Sequence, residues 1–253
     1  MPPKDLTNFY IATDFGVIHE DEDILVLEKP SPLAVHAVGV YAELNLHSLI
    51  KKDPRWTDCE IRFAHRLDAE TSGVLVAAKT AEAARFLGIE FLNGRVSKKY
   101  RALVFGVPPH AVGQIDFRLG SDTSSGFQTV RVRDDIKGEE AHTRYRLIFT
   151  DGRYSMLELE PLTGRTHQIR VHLSLLGNPI VGDKIYNDLN IFREYVMFGL
   201  NDTMLERIKL PRMALHAASL SFRHPRTREL TEFTSRSPAF YTQVSQCPDP
   251  VKI

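Results

Sequence analysis

Two short segments of the sequence are dense in side chains that can do chemistry. The first is His65–Gly73, with the sequence HRLDAETSG. A carboxylate such as Asp68 can act as a base or as a nucleophile when it is ionised and shielded from water. Because the segment precedes a buried strand, we expect a loop at the edge of a sheet with its side chains facing a cleft. The same residues also suit a simple turn, in which Asp68, Thr71 and Ser72 bond their own backbone.

The second segment is Leu162–His172, with the sequence LTGRTHQIRVH. As a helix it would carry an apolar stripe and, on another side, a polar face. The stripe is Ile169, Leu173 and Leu176, and the polar face is His167, Arg170 and Ser174. A polar face of this kind either contacts a functional group or simply lies in solvent.

Strands and helices of mixed order must position these segments. Short apolar runs predict buried strands at 24–28, 74–79 and 99–105, and Thr80 is a suitable N-cap for a helix over 81–92. Residues 113–126 read as a loop or hairpin region. Further strands are predicted at 130–132, 143–149, 157–160, 214–222 and 230–233, and further helices at 167–176, 189–200 and 203–209. Since no repeat or Gly/Ser-rich linker interrupts this pattern, it favours one continuous α+β domain over residues 1–253.

The charge balance restricts how the protein can attract a polyanion. The 253 residues contain 32 Lys and Arg and 32 Asp and Glu, which gives a formal net charge of zero. Any attraction for a nucleic acid must therefore be local. The segment Arg95–Arg101 contains four cations in seven residues, although such a run also suits a solvated strand end.

Several classes of protein are excluded by what the sequence lacks. Cys59 and Cys247 match no metal-ligand spacing, so we expect neither a disulfide framework nor a metal site, and a reducing, cytoplasmic location. The longest apolar run, Val74–Ala78, is far too short to cross a bilayer. No Walker loop or dinucleotide fingerprint is present, so no nucleotide cofactor is implied.

Taken together, the motifs resemble the RluA-type RNA pseudouridine synthases over about residues 17–235. The resemblance implies the catalytic fold of that family: an α+β fold with a bent, mixed but mostly antiparallel sheet, flanking helices and a central RNA-binding cleft. It also implies an isomerase that converts uridine to pseudouridine in a stem-loop of rRNA or tRNA, by flipping the base, without cofactor or metal. The matching stretches are Lys29-Pro30 with Val35-His36, and residues 65–79, 98–102, 164–172, 179–183, 215–217 and 224–225.

The roles of the site residues follow from this resemblance one at a time. Asp68 matches the essential aspartate, which acts at C1′ or C2′ of the sugar. Arg170 matches the arginine that pairs with it, and Tyr100 the tyrosine that stacks on the uracil. The expected RNA contacts are His65, Arg66, Thr71, Lys98, Lys99, Arg165, His167 and Gln168, with Arg66 filling the space left by the flipped base.

Other features of the chain depart from the family pattern. Pro32 and Arg228 stand where glycine is usual, which leaves His36 only a minor candidate for the site. We expect no N-terminal S4 module, a monomer, and a branch-specific insertion at about Asn187–Arg212.

Two other functions remain open on the sequence alone. The first is a non-catalytic RNA-binding or chaperone protein on the same fold. The second is a glycosidase or nucleoside hydrolase that uses Asp68 and Glu70 as paired carboxylates.

Overall fold

The computed structural model describes residues 10–127, 129–236 and 238–244. Of these, residues 10–98 and 216–236 belong to one compact unit, here unit 1, and residues 99–127, 129–215 and 238–244 belong to a second, here unit 2. Cys247 lies outside the described residues. The prediction of a single domain over 1–253 stays a prediction.

Unit 1 is built on a strand that is buried along its whole length. This strand, β4 (Ser72–Ala78), pairs antiparallel with β2 (Ile24–Lys29) and β3 (Arg62–Phe63) and parallel with β10 (Leu215–Arg223). Its continuous apolar run, GVLVAA, is the pattern expected of a strand covered on both faces. The remaining strands are β1 (Gly16–Glu20) and β11 (Leu230–Thr234), and the first residue of β10 belongs to unit 2.

Two helices complete unit 1, and each begins at a side-chain cap. In α1 (Leu46–Lys52), Asn45 and Ser48 form a capping box. In α2 (Ala81–Leu92), the hydroxyl of Thr80 accepts from the backbone N–H of Ala83, and the bounds are those predicted. The apolar side of α2 packs on β2, β4 and β10. The shared core contains Ile24, Val26, Val74, Val76, Ala78, Ala83, Leu87, Leu220 and Phe222.

Unit 2 contains an antiparallel sheet of five strands: β5 (Ser97–Phe105, of which the first two residues end unit 1), β6 (Val112–Ser121), β7 (Arg131–Arg133), β8 (Glu139–Thr150) and β9 (Tyr154–Pro161). Their order across the sheet is β5-β9-β8-β6-β7. Its helices are α3 (Gln168–Leu175), α4 (Leu189–Phe198), α5 (Asp202–Ile208) and α6 (Phe240–Val244). The apolar stripe of α3, with Ile169 and Leu173, packs into the core beside Leu157 and Leu159 of β9.

Some elements differ from the prediction. The loop or hairpin region predicted over 113–126 is part of a hairpin, because β6 continues to Ser121 and pairs antiparallel with β7, and only the loop interpretation is wrong for most of that length. The strand at 24–28 is preceded by β1, and α1, β3 and α6 were not predicted. In the part of the chain that the structure describes, no helix is long and apolar enough to cross a membrane.

Candidate active site

The loop that carries Asp68 is held in place by the end of β2 and the residues after it. The Lys29 ammonium is fully buried and donates to the carbonyls of Pro30, Leu33 and Ala69 at 2.9, 2.6 and 3.1 Å. The backbone N–H of Leu33 donates to the same Ala69 carbonyl at 2.8 Å. A buried ammonium is stable only when its protons are bonded, so these contacts fix the backbone directly after Asp68.

Two further hydrogen bonds shape the same loop. The Ser31 hydroxyl donates to the Glu70 carbonyl at 2.7 Å, and the N–H of Thr71 closes a turn on the carbonyl of Asp68 at 3.0 Å. The Asp68 side chain is half-buried, while Arg66 is exposed. The loop therefore contains a turn that is closed by backbone groups from Asp68 to Thr71.

His65 is a structural support at the start of the loop. Its ring stacks on Phe91 with centroids 4.6 Å apart, and Nε2 accepts from the N–H of Val76 at 3.2 Å. Burial and the nearby charge of Lys98 lower the pKa of His65 to about 3. The ring is therefore neutral at physiological pH, with its proton on Nδ1.

A buried hydrogen-bond chain anchors the strand that follows the loop. The Ser72 hydroxyl lies 2.9 Å from Nδ1 of His216, and Nε2 of His216 lies 3.1 Å from the Ser235 hydroxyl. His216 belongs to one of the motif stretches and is only 1% exposed. This series of hydrogen bonds thus joins β4 to β10 and to the segment after β11.

In unit 2, Arg170 forms a buried bidentate ion pair that the sequence analysis missed. Its Nε and Nη2 donate to the two carboxylate oxygens of Asp183 at 2.7 and 2.9 Å, and both side chains are buried. Burial alone would raise the pKa of Asp183, but Arg170 and the N–H groups of Tyr186 and Ile185 lower it below its ordinary value. Such a fork fixes the plane of the guanidinium.

Tyr186 covers the polar face that the sequence predicted on α3. Its ring lies 5.0 Å from the Arg170 guanidinium, its hydroxyl is 2.9 Å from Nδ1 of His167, and its carbonyl accepts from Ser174. The face is therefore bonded to the protein and does not lie free in solvent. His167 itself has φ 56°, in the left-handed region, at the start of α3.

Tyr100 and the cations around it lie at the start of β5. Tyr100 is half-buried and pairs with Leu159 of β9. In this run Arg95 forms an ion pair with Glu90, and Arg101 forms one with Glu158. Lys99 is exposed, and burial lowers the pKa of Lys98.

Three further residues expected to contact RNA, besides His65 and His167, are buried or bonded within the protein. The Gln168 amide is buried and bonds the Thr163 and Thr143 hydroxyls and the backbone of His142 and Arg165. Thr71 is 2% exposed. The Arg165 guanidinium pairs with Glu139 at 2.9 Å but remains half-exposed. Gln168 and Thr71 therefore present almost no surface to a ligand.

One group of side chains has the composition of a metal site. Ligand atoms of Asp21, Asp23 and His224 lie within 4.8 Å of one another. Burial disfavours ionised Asp21, but bonds from His19, His224 and two backbone N–H groups outweigh it and lower its pKa to about 2. Asp23 pairs with Arg226. These protein partners make the group an ion-pair cluster that ties β1 and β2 to the turn after β10.

Comparison with known proteins agrees with this architecture. The family model described as RNA pseudouridylate synthase matches residues 23–175. Ribosomal large subunit pseudouridine synthase D of Zymomonas mobilis is 33% identical over 88% of this chain and 69% of its own length. An uncharacterized RNA pseudouridine synthase of Chloroflexus aurantiacus is 40% identical over 83% of this chain and 62% of its own length. The chain thus spans about two thirds of the length of these relatives.

A solved structure, human RNA pseudouridylate synthase domain containing 4, matches with a TM-score of 0.71 and 28% identity, covering 90% of this chain and 91% of that one. The predicted α+β fold is thereby confirmed as the catalytic fold of enzymes that isomerise uridine in RNA. The chain belongs to the RNA pseudouridylate synthase family, in its RluA-type branch.

Proposed function

We propose that this protein converts one or more specific uridines of large-subunit ribosomal RNA to pseudouridine, with Asp68 as the essential group. The observation that carries the proposal is the clamp of Lys29, Ser31 and Leu33 on the Asp68 loop. A reacting carboxylate must be held in one geometry. The Asp68 loop is held by hydrogen bonds to the carbonyl groups of Ala69 and Glu70. The choice of ribosomal RNA is supported by what the relative from Zymomonas mobilis is named for.

The proposed reaction begins with Asp68 at the sugar of an extruded uridine. Asp68 either bonds to C1′ or removes a proton from C2′, and in both cases the bond between C1′ and N1 breaks and uracil leaves as an anion. The ring turns and C5 bonds to C1′ while the Asp68–C1′ bond breaks or the proton returns to C2′. The C5 proton is then removed with help from Tyr100, and N1 takes up a proton from solvent. Extrusion costs a few kcal/mol, which Arg66 offsets by occupying the vacated stack.

Arg170 is the cation that pairs with Asp68 in this proposal. Its guanidinium would lower the pKa of that carboxyl and orient it. Asp183 supports the role because it holds two of the five N–H donors of Arg170 in a fixed plane. The RNA contacts proposed are His65, Arg66, Lys98, Lys99, Arg165 and His167, on a monomeric protein acting on a stem-loop. A reducing cytoplasmic location is also part of the proposal, and Cys59 is a free thiol.

Mapping of modified positions tests the substrate. Transcripts of large-subunit rRNA, small-subunit rRNA and tRNA would be incubated with the protein, treated with a carbodiimide that labels pseudouridine, and read by reverse transcription. We expect stops in a loop of the large-subunit RNA alone. Stops only in tRNA would move the proposal to tRNA, and release of free uracil would support the glycosidase alternative.

The non-catalytic alternative predicts a different result. A protein that only binds RNA would protect a stem-loop without producing any stop in the three transcripts. An Asp68→Ala variant that retained full function in cells would also favour it.

A further inference from the structure

Three aromatic rings of unit 1 meet outside the contacts that clamp the Asp68 loop. The His36 and His47 centroids are 5.8 Å apart, and Phe63 lies 5.4 Å from His36 and 6.3 Å from His47. His36 follows the clamp segment, His47 lies on α1 and Phe63 on β3. We call these three residues the ring cluster.

The geometry of the ring cluster leaves ring faces uncovered by its own members. The interplanar angles are 59°, 87° and 76°, so none of the three pairs is a parallel stack. Three such contacts cover at most three of the six ring faces. His36 and His47 are also exposed to solvent. His65 differs, because it is stacked nearly parallel on Phe91 at 22°.

Positive groups border the ring cluster. Desolvation and the nearby His47 and Arg66 lower the pKa of His36, which places Arg66 within electrostatic range and keeps the His36 ring neutral at physiological pH. Arg66 is exposed, and Lys51 is exposed one helical turn after His47 on α1. Neutral aromatic faces beside exposed cations are the combination that binds unpaired nucleic acid, since bases stack on the rings and phosphates pair with the cations.

We propose that the ring cluster is a stacking platform for an unpaired base of the RNA substrate, distinct from the target uridine, with Lys51 contacting a neighbouring phosphate. The inference rests on the proposed function for the identity of the RNA, and it explains how a loop could be held while one of its bases is extruded. A loop nucleotide flanking the target has the chemistry required.

Binding of short oligonucleotides tests the platform without knowledge of the natural substrate. The probes are fluorescent oligoadenylate and oligouridylate of about 12 nucleotides, which is within the range of single-strand sites. The wild-type protein should bind oligoadenylate more tightly, because adenine stacks more strongly than uracil. The double variant His36→Ala/His47→Ala should bind oligoadenylate about tenfold more weakly and lose the preference.

Two further variants separate stacking from charge and from folding. His36→Phe/His47→Phe should retain the preference, and His36→Lys/His47→Lys should lose it although it adds charge. His110→Ala, at an exposed histidine of unit 2, is the matched control and should bind like wild type. Binding by the double alanine variant within twofold of wild type, or equal loss in the phenylalanine and alanine variants, would overturn the proposal.

Failure of the proposed function would look different. Absence of pseudouridine from every transcript treated with wild-type protein would refute the reaction, while the oligoadenylate preference would still stand or fall with the ring cluster. If the reaction and the oligoadenylate preference are both confirmed, His36→Ala/His47→Ala should raise KM for the RNA substrate. It should leave kcat within about twofold, because the platform does not touch the reacting atoms.

Discussion

Asp183 and Arg170 share a buried setting in which neither charge is stable alone. Replacing Asp183 with Asn keeps the shape of the side chain but removes the carboxylate that accepts from Nε and Nη2 of the Arg170 guanidinium. We expect Asp183→Asn to lower the free energy of unfolding by about 3 kcal/mol, as measured by urea denaturation. We also expect kcat for pseudouridine formation to fall at least about tenfold, since the guanidinium plane is no longer fixed.

Asp135 offers a matched control for this variant. It bonds Nε of Arg133 through both oxygens at 2.8 and 3.0 Å, but this pair lies at the surface. Asp135→Asn should therefore leave the urea midpoint and kcat unchanged. Equal effects of the two substitutions would show that burial of the Arg170 pair has no special role.

His65 gives the protein a specific sensitivity to acid. Its pKa is about 3 in the folded state against 6.5 ordinarily, so between these values the unfolded chain binds a proton that the folded protein does not. This contribution to stability is complete above pH 6.5 and is progressively lost as the pH falls toward 3. We expect wild type to lose at least about 1 kcal/mol more than His65→Gln between pH 7 and pH 5 in urea denaturation. Parallel losses would contradict the assignment.

At the scale of elements, the approach of β4 to β10 requires a glycine at position 73. Gly73 has φ 115°, and a Cβ added there would lie 2.1 Å from the carbonyl oxygen of Ala217. Because both the conformation and the clash involve backbone, Gly73→Ala should destabilise the protein by about 3 kcal/mol or more in thermal or urea denaturation. Gly88→Ala is the control, since Gly88 lies in α2 with nothing within 4 Å, and it should stabilise by about 0.5 kcal/mol.

Elements with local signals could be predicted from the sequence, and those that depend on distant partners could not. Helix α2 is specified by its Thr80 cap and by the Asn93-Gly94 stop that follows it. The sequence predicts only a loop or hairpin region at 113–126 and not the extent of β6. In the structure Gly113 lies opposite Tyr145, whose ring occupies the space of a Cβ. That pairing joins strands 32 residues apart in sequence and has no local signature.

The same distinction between local signals and distant partners applies to the residues of the candidate site. Its reactive residues were predicted from the motifs they form, whereas the groups that hold them were not. Lys29 and Asp183 both lie in motif stretches, and a lysine after a buried strand or an aspartate after glycine is a weak signal for a buried contact. Only the fold shows that Lys29 bonds the carbonyl next to Asp68 and that Asp183 bonds Arg170.

The whole molecule has a formal net charge of zero, so it has no overall attraction for RNA. Binding must therefore depend on a few locally exposed cations. Arg95 and Arg101 are paired with carboxylates, so exposed Lys99 should be the principal phosphate contact of that run. We expect Lys99→Ala to weaken RNA binding uniformly across sequences and to reduce the slope of log K against log salt concentration by about 1. Lys137→Ala, at an exposed turn between β7 and β8, should leave the slope unchanged.

The central claim is that Asp68 performs an isomerisation in which the base stays attached to the RNA. Tritium release from rRNA labelled with [5-³H]uridine would measure it, with wild type, Asp68→Ala and the neighbouring Glu70→Ala compared under identical conditions. We predict release by wild type and Glu70→Ala, none by Asp68→Ala, and no free uracil from any of them. Two results would contradict the account. One is tritium release by Asp68→Ala at the wild-type rate, and the other is a wild-type protein that releases no tritium but produces free uracil.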